Sequence, residues 1–212
     1  MEVRSFTVGP LSENTYLLRG DGSATAVFVD PGDEAPRLLA ALDELGVTLE
    51  AILLTHTHID HVGAVAPVAR ATGAPVYCPR DEAFVLADIA AWTPFGFPPA
   101  ESYDADETLA GGERLTLAGL EIDVISTPGH SPGHLSFSIA DQQALFSGDV
   151  IFQQSVGRTD LPGADGATLM RSIAHLLDTL PDDTRVHPGH MSTTTLGRER
   201  VNNPFLAQFA AR

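Results

Sequence analysis

The sequence predicts an α/β protein built as two β-sheets packed face to face, with helices on the outside. Two observations predict it. Strand signals fall in two runs, one near the N-terminus and one beginning at residue 113, and each run passes into alternating helix and strand. Helices that cover the outer faces of packed sheets give that order. The chain has 212 residues, 43% of them hydrophobic, enough for one sizeable core, so residues 1–212 are expected to form a single domain.

Residues 2–8 read as a strand, ended by Gly9-Pro10. A second strand, 14–19, is followed by the turn Gly20-Asp21-Gly22, and a third, 24–29, ends in Asp30-Pro31-Gly32. Leu38, Leu39, Ala41, Leu42 and Leu45 recur at helical spacing over 34–45, and Gly46 stops the helix. Residues 49–54 form a buried strand, and a helical pattern follows over 60–72, with Pro67 expected to kink or shorten it. Residues 75–79 read as a short buried strand and 81–89 as a short helix. The stretch 92–103, with Trp92, Phe95, Phe97, Tyr103 and three prolines, fits neither. It reads as a loop over the site or an aromatic connector packed on the core. Strand signals return at 113–117, 120–126, 134–139 and 144–146; 166–180 is helical, 185–187 is a last strand, 196–203 a helix and 204–212 a short tail.

Charge narrows the function. The formal net charge is −16, and all 12 basic residues are arginine, so a nucleic-acid partner is not expected, nor is an anionic membrane surface. The one cysteine, Cys78, excludes an intramolecular disulfide and reads as a packed thiol. The start Met1-Glu2-Val3-Arg4 lacks a signal-peptide pattern, and no apolar run approaches the roughly 18 residues of a membrane span. A cytoplasmic protein is the expectation; nothing in the sequence specifies an oligomeric state.

Chemistry concentrates in Thr55-His56-Thr57-His58-Ile59-Asp60-His61, between the strand 49–54 and the helix 60–72. Side chains two apart on an extended chain point the same way, so His56 and His58 converge on one point. The turn into the helix swings Asp60 and His61 towards a neighbouring point, which predicts a two-metal site. Three later segments each end a strand in a small turn that carries a potential ligand: Thr127-Pro128-Gly129-His130, Ser147-Gly148-Asp149 and His187-Pro188-Gly189-His190. The candidate ligands are therefore His56, His58, Asp60, His61, His130, Asp149 and His190. Imidazole and carboxylate suit zinc, iron and manganese. Of the remaining histidines, His134 begins a strand and reads as packed in preference to a hydrogen-bond donor behind the ligands, His175 as a surface residue and His187 as structural. Asp30 ends a buried strand at the same sheet edge, as a partner for a ligand imidazole or as a turn residue.

These residues, in this order and over almost the whole chain, resemble the metallo-β-lactamase superfamily. The resemblance implies an αβ/βα four-layer sandwich of two mixed sheets with the site at one edge. It also implies that His56, His58 and His130 bind one divalent metal, that Asp60, His61 and His190 bind the other, and that Asp149 bridges them. Zinc is the expected metal. Within the superfamily, Gly148-Asp149-Val150-Ile151-Phe152, Ser155-Val156-Gly157-Arg158-Thr159-Asp160 and Thr193-Thr194-Thr195-Leu196-Gly197 resemble the short bacterial glyoxalase II-like hydrolases, the hydroxyacylglutathione hydrolases. Such a site implies thioester hydrolysis of a small-molecule acyl thiol. Two metals about 3.5–4 Å apart activate a bridging hydroxide, with Asp60 and Asp149 keeping the ions close. The departure is at the C-terminus: full-length glyoxalase II has a helical domain that supplies basic residues for glutathione, and here 22 residues follow His190 without a lysine. Arg158 is the remaining anchor for an anionic group, or else a structural partner of Asp160.

Three alternatives stay open. A persulfide dioxygenase would use one iron on His56, His130 and Asp149, but Pro188-Gly189-His190-Met191 differs from the Pro-Ala-His-Asp-Tyr of those enzymes. A lactonase or other ester hydrolase would use the same two metals. A metal-binding protein without catalysis would not need the full ligand set.

Overall fold

The computed structural model describes residues 1–97 and 99–209. Among these, the first run of strands forms one sheet: β1 (Glu2–Val8), β2 (Glu13–Arg19), β3 (Thr25–Val29), β4 (Thr48–Leu53), β5 (Val76–Pro79) and β6 (Glu107–Leu109), in that spatial order. β1 to β3 are antiparallel and β3 to β6 parallel. Parallel neighbours need crossover connections. These hold α1 (Ala35–Leu45), then α2 (Ile59–Val62) and α3 (Val65–Thr72), then α4 (Ala83–Ala87) and α5 (Ile89–Trp92).

The second sheet begins with β7 (Arg114–Leu117), β8 (Leu120–Ser126), β9 (Leu135–Ile139) and β10 (Ala144–Gly148), an antiparallel meander. A small hairpin follows, β11 (Ile151–Phe152) with β12 (Ser155–Val156), and then α6 (Gly166–Thr179). β13 (Arg185–Pro188) pairs parallel to β10, β14 (Thr194–Thr195) closes the edge, and α7 (Leu196–Asn202) follows. Asp165 caps α6 by accepting the Thr168 N–H at 2.8 Å, a contribution of roughly 1 kcal/mol.

Alternation along the buried strands sets four layers. Tyr16, Leu18, Val27, Val29, Ala51 and Leu53 face the second sheet and meet Ile122, Val124, Phe137 and Phe146. Their neighbours Leu17, Phe28 and Ile52 face outward and pack on Leu38, Leu42, Val65 and Val68 of α1 and α3. On the far side, Leu145 and Val186 pack on Ile173, Leu176 and Leu177 of α6. Both faces of each central strand are therefore buried. Each large core side chain stabilises the fold by about 1.5–3 kcal/mol through burial. Cys78 lies in the outer core of the first sheet, and burial pushes its thiol well above the usual range.

Several expected elements differ. The helix expected over 60–72 is two helices, and the break falls at Gly63-Ala64 rather than at Pro67. The Ala64 N–H leaves the helical pattern and donates to the Pro31 carbonyl at 3.0 Å. Pro67 lies in the first turn of α3, where an N–H has no intrahelical acceptor to lose. The helix expected over 81–89 is a 3₁₀ turn, Arg80–Glu82, followed by α4 and α5, which part at Asp88. The very short strands β6, β11, β12 and β14 were not expected. Trp92 ends α5, and the rest of 92–103 is irregular, with Pro98 outside the described residues. Phe97, Pro99 and Ala100 of this loop share a small cavity with Ile59 and Asp60, so the loop reaches the helix that carries Asp60. The expected tail contains a 3₁₀ stretch, Pro204–Phe209, and its last three residues lie outside the described residues. Among the described residues no helix is long and apolar enough to cross a membrane.

Candidate metal centre

The segments singled out in the sequence follow the carboxyl ends of β4, β8, β10 and β13 and meet at one edge of the sandwich. Beyond β4 the chain stays extended. Asp30, just past β3, holds it there: it accepts the Thr55 N–H at 2.7 Å and the Thr55 hydroxyl at 2.6 Å. Asp30 itself has φ 49°, a left-handed conformation that aspartate tolerates better than most side chains. Thr57 separates His56 from His58, so both imidazoles point to one side. His58 Nδ1 lies 3.1 Å from His56 Nε2 and 2.9 Å from His130 Nε2. Asp60, His61 and His190 form a second group, with His190 Nε2 3.2 Å and His61 Nε2 4.0 Å from Asp60 Oδ2.

Asp149 stands between the groups. Its Oδ1 is 3.4 Å from His61 Nε2, and its Oδ2 is 3.5 Å from His130 Nε2 and 3.6 Å from His190 Nε2. All seven residues picked out in the sequence thus come together. Gly189 makes the close approach feasible: a Cβ there would lie 2.3 Å from Asp149 Oδ1 and 2.6 Å from the His61 ring.

Hydrogen bonds fix which imidazole nitrogens face inward with a lone pair. The Asp30 carboxylate only accepts, so the Thr55 hydroxyl donates to it and in turn accepts from His56 Nδ1 at 3.0 Å. His61 Nδ1 donates directly to Asp30 Oδ2 at 3.0 Å. His130 Nδ1 donates to the Arg158 carbonyl at 2.8 Å. In each case Nε2 is the nitrogen left facing the centre, and in the neutral ring it is the acceptor. A buried carboxylate and a backbone carbonyl are the usual partners that orient a ligand imidazole.

The two groups differ in charge. Burial pushes His56 well below the usual imidazole range and His58 to about 4, with the neighbouring imidazoles adding to it. Burial also opposes the charged form of His61, but Asp149 and Asp60 ahead of it and Asp30 behind it outweigh burial and hold it well above that range. His190 is raised against its own burial by Asp60 and Asp149. Burial alone would raise the Asp149 and Asp60 carboxyls; His61 and the other imidazoles hold both below their usual values. Glu13, behind His61, is driven well up by burial.

Other sequence expectations resolve here. Asp30 is an imidazole partner and not merely a turn residue. His134 is more than packed: its Nε2 accepts the Asp149 N–H at 3.1 Å, and its Nδ1 bonds Thr127 Oγ1 at 2.9 Å. The signal for it was its place four residues after His130, at the start of β9. His175 is exposed, and His187 lies between the sheets. The Arg158 guanidinium makes an exposed bidentate pair with Asp160 at 2.6 and 2.8 Å, while its carbonyl orients His130. Glu13 was missed, because a glutamate opening a strand gives no sign that it will be buried.

The donors fit divalent cations. Three inward nitrogens, His56 Nε2, His58 Nδ1 and His130 Nε2, crowd one point, and burial disfavours a positive charge on His56 and His58. Among the described residues, His61 Nε2 and Asp149 Oδ1 are buried polar atoms without a hydrogen bond, which is costly unless something else satisfies them. Nitrogen and carboxylate oxygen donors are those that zinc, iron or manganese takes.

Comparison with known proteins agrees. The metallo-beta-lactamase superfamily profile matches residues 8–190. The hydroxyacylglutathione hydrolase GloC of Haemophilus influenzae is 36% identical over 209 residues, which cover 97% of this chain and 98% of GloC. The crystal structure of BLEG-1 B3 metallo-beta-lactamase is 41% identical with a TM-score of 0.91, covering 97% of this chain and 100% of that one. A di-iron-bound form of TTHA1623 is 44% identical with a TM-score of 0.81, covering 96% of this chain and 100% of that one. With its two mixed sheets, outer helices and histidine–aspartate cluster at the sheet edge, the chain belongs to the metallo-β-lactamase superfamily and is a metallo-hydrolase of that fold.

Proposed function

We propose that this protein is a binuclear metallohydrolase that cleaves thioesters of the S-2-hydroxyacylglutathione type, with zinc as the working metal. The observation that carries the reading is Asp149, whose two oxygens lie within 3.6 Å of imidazoles from both groups. One carboxylate that faces two donor sets is suited to holding two cations side by side. Bound there, a cation pair supplies water ionised near neutral pH and polarisation of a carbonyl oxygen.

The chain's own residues do the rest. His56, His58 and His130 hold one position; Asp60, His61 and His190 hold the other. Asp60 and Asp149 offset the charge that would push two cations apart. Asp30 keeps His56 and His61 in the inward-accepting tautomer. Arg158 anchors the anionic end of the substrate. Its pair with Asp160 is solvent-exposed, so exchanging Asp160 for a substrate carboxylate costs little. The likeness to GloC supports a thioester substrate, and the second donor group of Asp60, His61 and His190 supports a two-metal hydrolase.

Metal analysis of the purified protein, joined to a substrate panel, tests this. The panel contains S-lactoylglutathione, other acyl thiols, lactones, a β-lactam and glutathione persulfide. Two metals per chain with turnover of acyl thiols is the expected result. One iron with oxygen uptake on persulfide would sink the proposal, and turnover confined to lactones or the β-lactam would replace its substrate.

A further inference from the structure

We infer that Glu82 is a positioning residue for the three-histidine group: its buried carboxylate ties the loop of His56 and His58 to the loop of His130 and sets the spacing of the three imidazoles. The inference rests on the metal-binding role proposed for these histidines. The alternation that points His56 and His58 inward turns Thr57 the opposite way. There it meets Glu82, in the 3₁₀ turn after β5. Glu82 Oε2 accepts the Thr57 N–H at 2.8 Å and the Thr57 hydroxyl at 2.9 Å. Glu82 Oε1 accepts the Gly133 N–H at 2.8 Å and the Ser131 hydroxyl. Thr57 directly precedes His58, and Ser131 directly follows His130. One carboxylate, 4% exposed, thus joins the ligand loop of the first sheet to that of the second.

His58 needs such an arrangement more than its neighbours do. His56, His61 and His130 each have a hydrogen bond on the nitrogen that faces away from the centre. Among the described residues the hydrogen bonds of His58 involve Nδ1 alone, the inward nitrogen. Its ring is therefore held through its backbone, and Thr57 is where that backbone is fixed. Gly133 is part of the same device: a Cβ there would lie 3.0 Å from Glu82 Cγ and 3.3 Å from Oε1, so a larger residue would have to push the carboxylate aside to bring its N–H in.

The chemistry demands a carboxylate and not an amide. All four partners donate, and two of them are backbone N–H groups that cannot reverse. In Glu82→Gln the side-chain NH₂ must face either the Thr57 or the Gly133 N–H. One loop is then released while side-chain volume is kept.

The test is a competition titration of apo-protein with zinc against a chromophoric chelator, for wild type and Glu82→Gln, with thermal unfolding of both apo-proteins and visible spectra of both cobalt(II) forms. The expected result is affinity weaker by about 10–100-fold for one of two zinc equivalents, the other unchanged, and an altered cobalt spectrum. A lower apo-protein Tm with both equivalents and the spectrum as in wild type would mean a merely structural role and overturn the inference. Should Glu82→Gln fail to fold, Ser131→Ala and Gly133→Ala each disturb one arm. Weakening of one equivalent in either supports the inference, and wild-type affinity in both overturns it. A wild type that binds a single equivalent refutes the two-metal reading instead. In that case the Glu82 inference stands if Glu82→Gln weakens that equivalent and fails if it does not.

Discussion

His187 and His190 lie three residues apart, at and just beyond the end of β13, and their surroundings could hardly differ more. The His187 ring stacks on Phe146 with centroids 4.7 Å apart and meets Tyr16 edge-on at 5.4 Å. It has ring contacts but no hydrogen bond among the described residues, and it lines a polar cleft of about 520 Å³ on the side of the sandwich, away from the ligand cluster. Burial, with a smaller effect of Arg185, pushes its pKa down to about 4. The turn Pro188-Gly189 carries His190 to the sheet edge, where Asp60 and Asp149 raise its pKa against burial. Burial by itself keeps an imidazole neutral and idle. Carboxylates set around it turn it into a candidate ligand.

The sharpest way to break this contrast is to remove the shared carboxylate. Asp149→Ala should lose metal from both donor groups, with affinity falling by more than the 10–100-fold that is usual for an outer partner, and hydrolysis should vanish with it. Metal analysis and turnover measured on one preparation decide it; normal turnover in that variant refutes the bridging role. Asp30→Asn comes next. It keeps the shape but puts an amide where Thr55 and His61 donate, so metal affinity should drop about 10–100-fold, as read by chelator competition. Unchanged affinity would mean that the tautomers are set elsewhere.

His187 supplies the counter-case. Its pKa is about 4 in the folded chain against 6.5 for the free imidazole, so below pH 6.5 the unfolded state takes up the extra proton. Its stabilising contribution is whole above pH 6.5 and is lost as pH falls towards 4. The loss between pH 8 and pH 5 is about 2 kcal/mol. His187→Phe should flatten the pH dependence of urea unfolding by that amount and leave metal content and turnover alone. An altered metal content would erase the distinction between the two histidines. The smallest effect belongs to Arg158→Ala, which should raise KM several-fold while kcat holds, because the carbonyl that orients His130 is still present. A fall in kcat with KM constant would show that the guanidinium acts elsewhere than in substrate binding.

The sequence was most informative where chemistry and local geometry coincide. His56, His58, Asp60 and His61 announce themselves because strand alternation and one helical turn suffice to place them. His130, Asp149 and His190 are legible as side chains delivered by small turns at strand ends. The four layers are legible because the strands arrive in two runs and the helices between them have one apolar side. Glu82 and Glu13 were not legible, since each depends on a partner far along the chain: Glu82 meets Ser131 and Gly133 only when the sheets pack. The break at Gly63-Ala64 was hidden for the same reason, as the Ala64 N–H is drawn off by Pro31 from another connection. Two-residue strands such as β11 and β14 are too short for periodicity to register.

The two-metal claim meets its most direct test in a stepwise titration. Apo-protein receives zinc in fractions of an equivalent, and S-lactoylglutathione hydrolysis is measured at each step. The account predicts that turnover stays low through the first equivalent and rises to its plateau with the second. Full turnover at one equivalent, with no change on adding another, would contradict it.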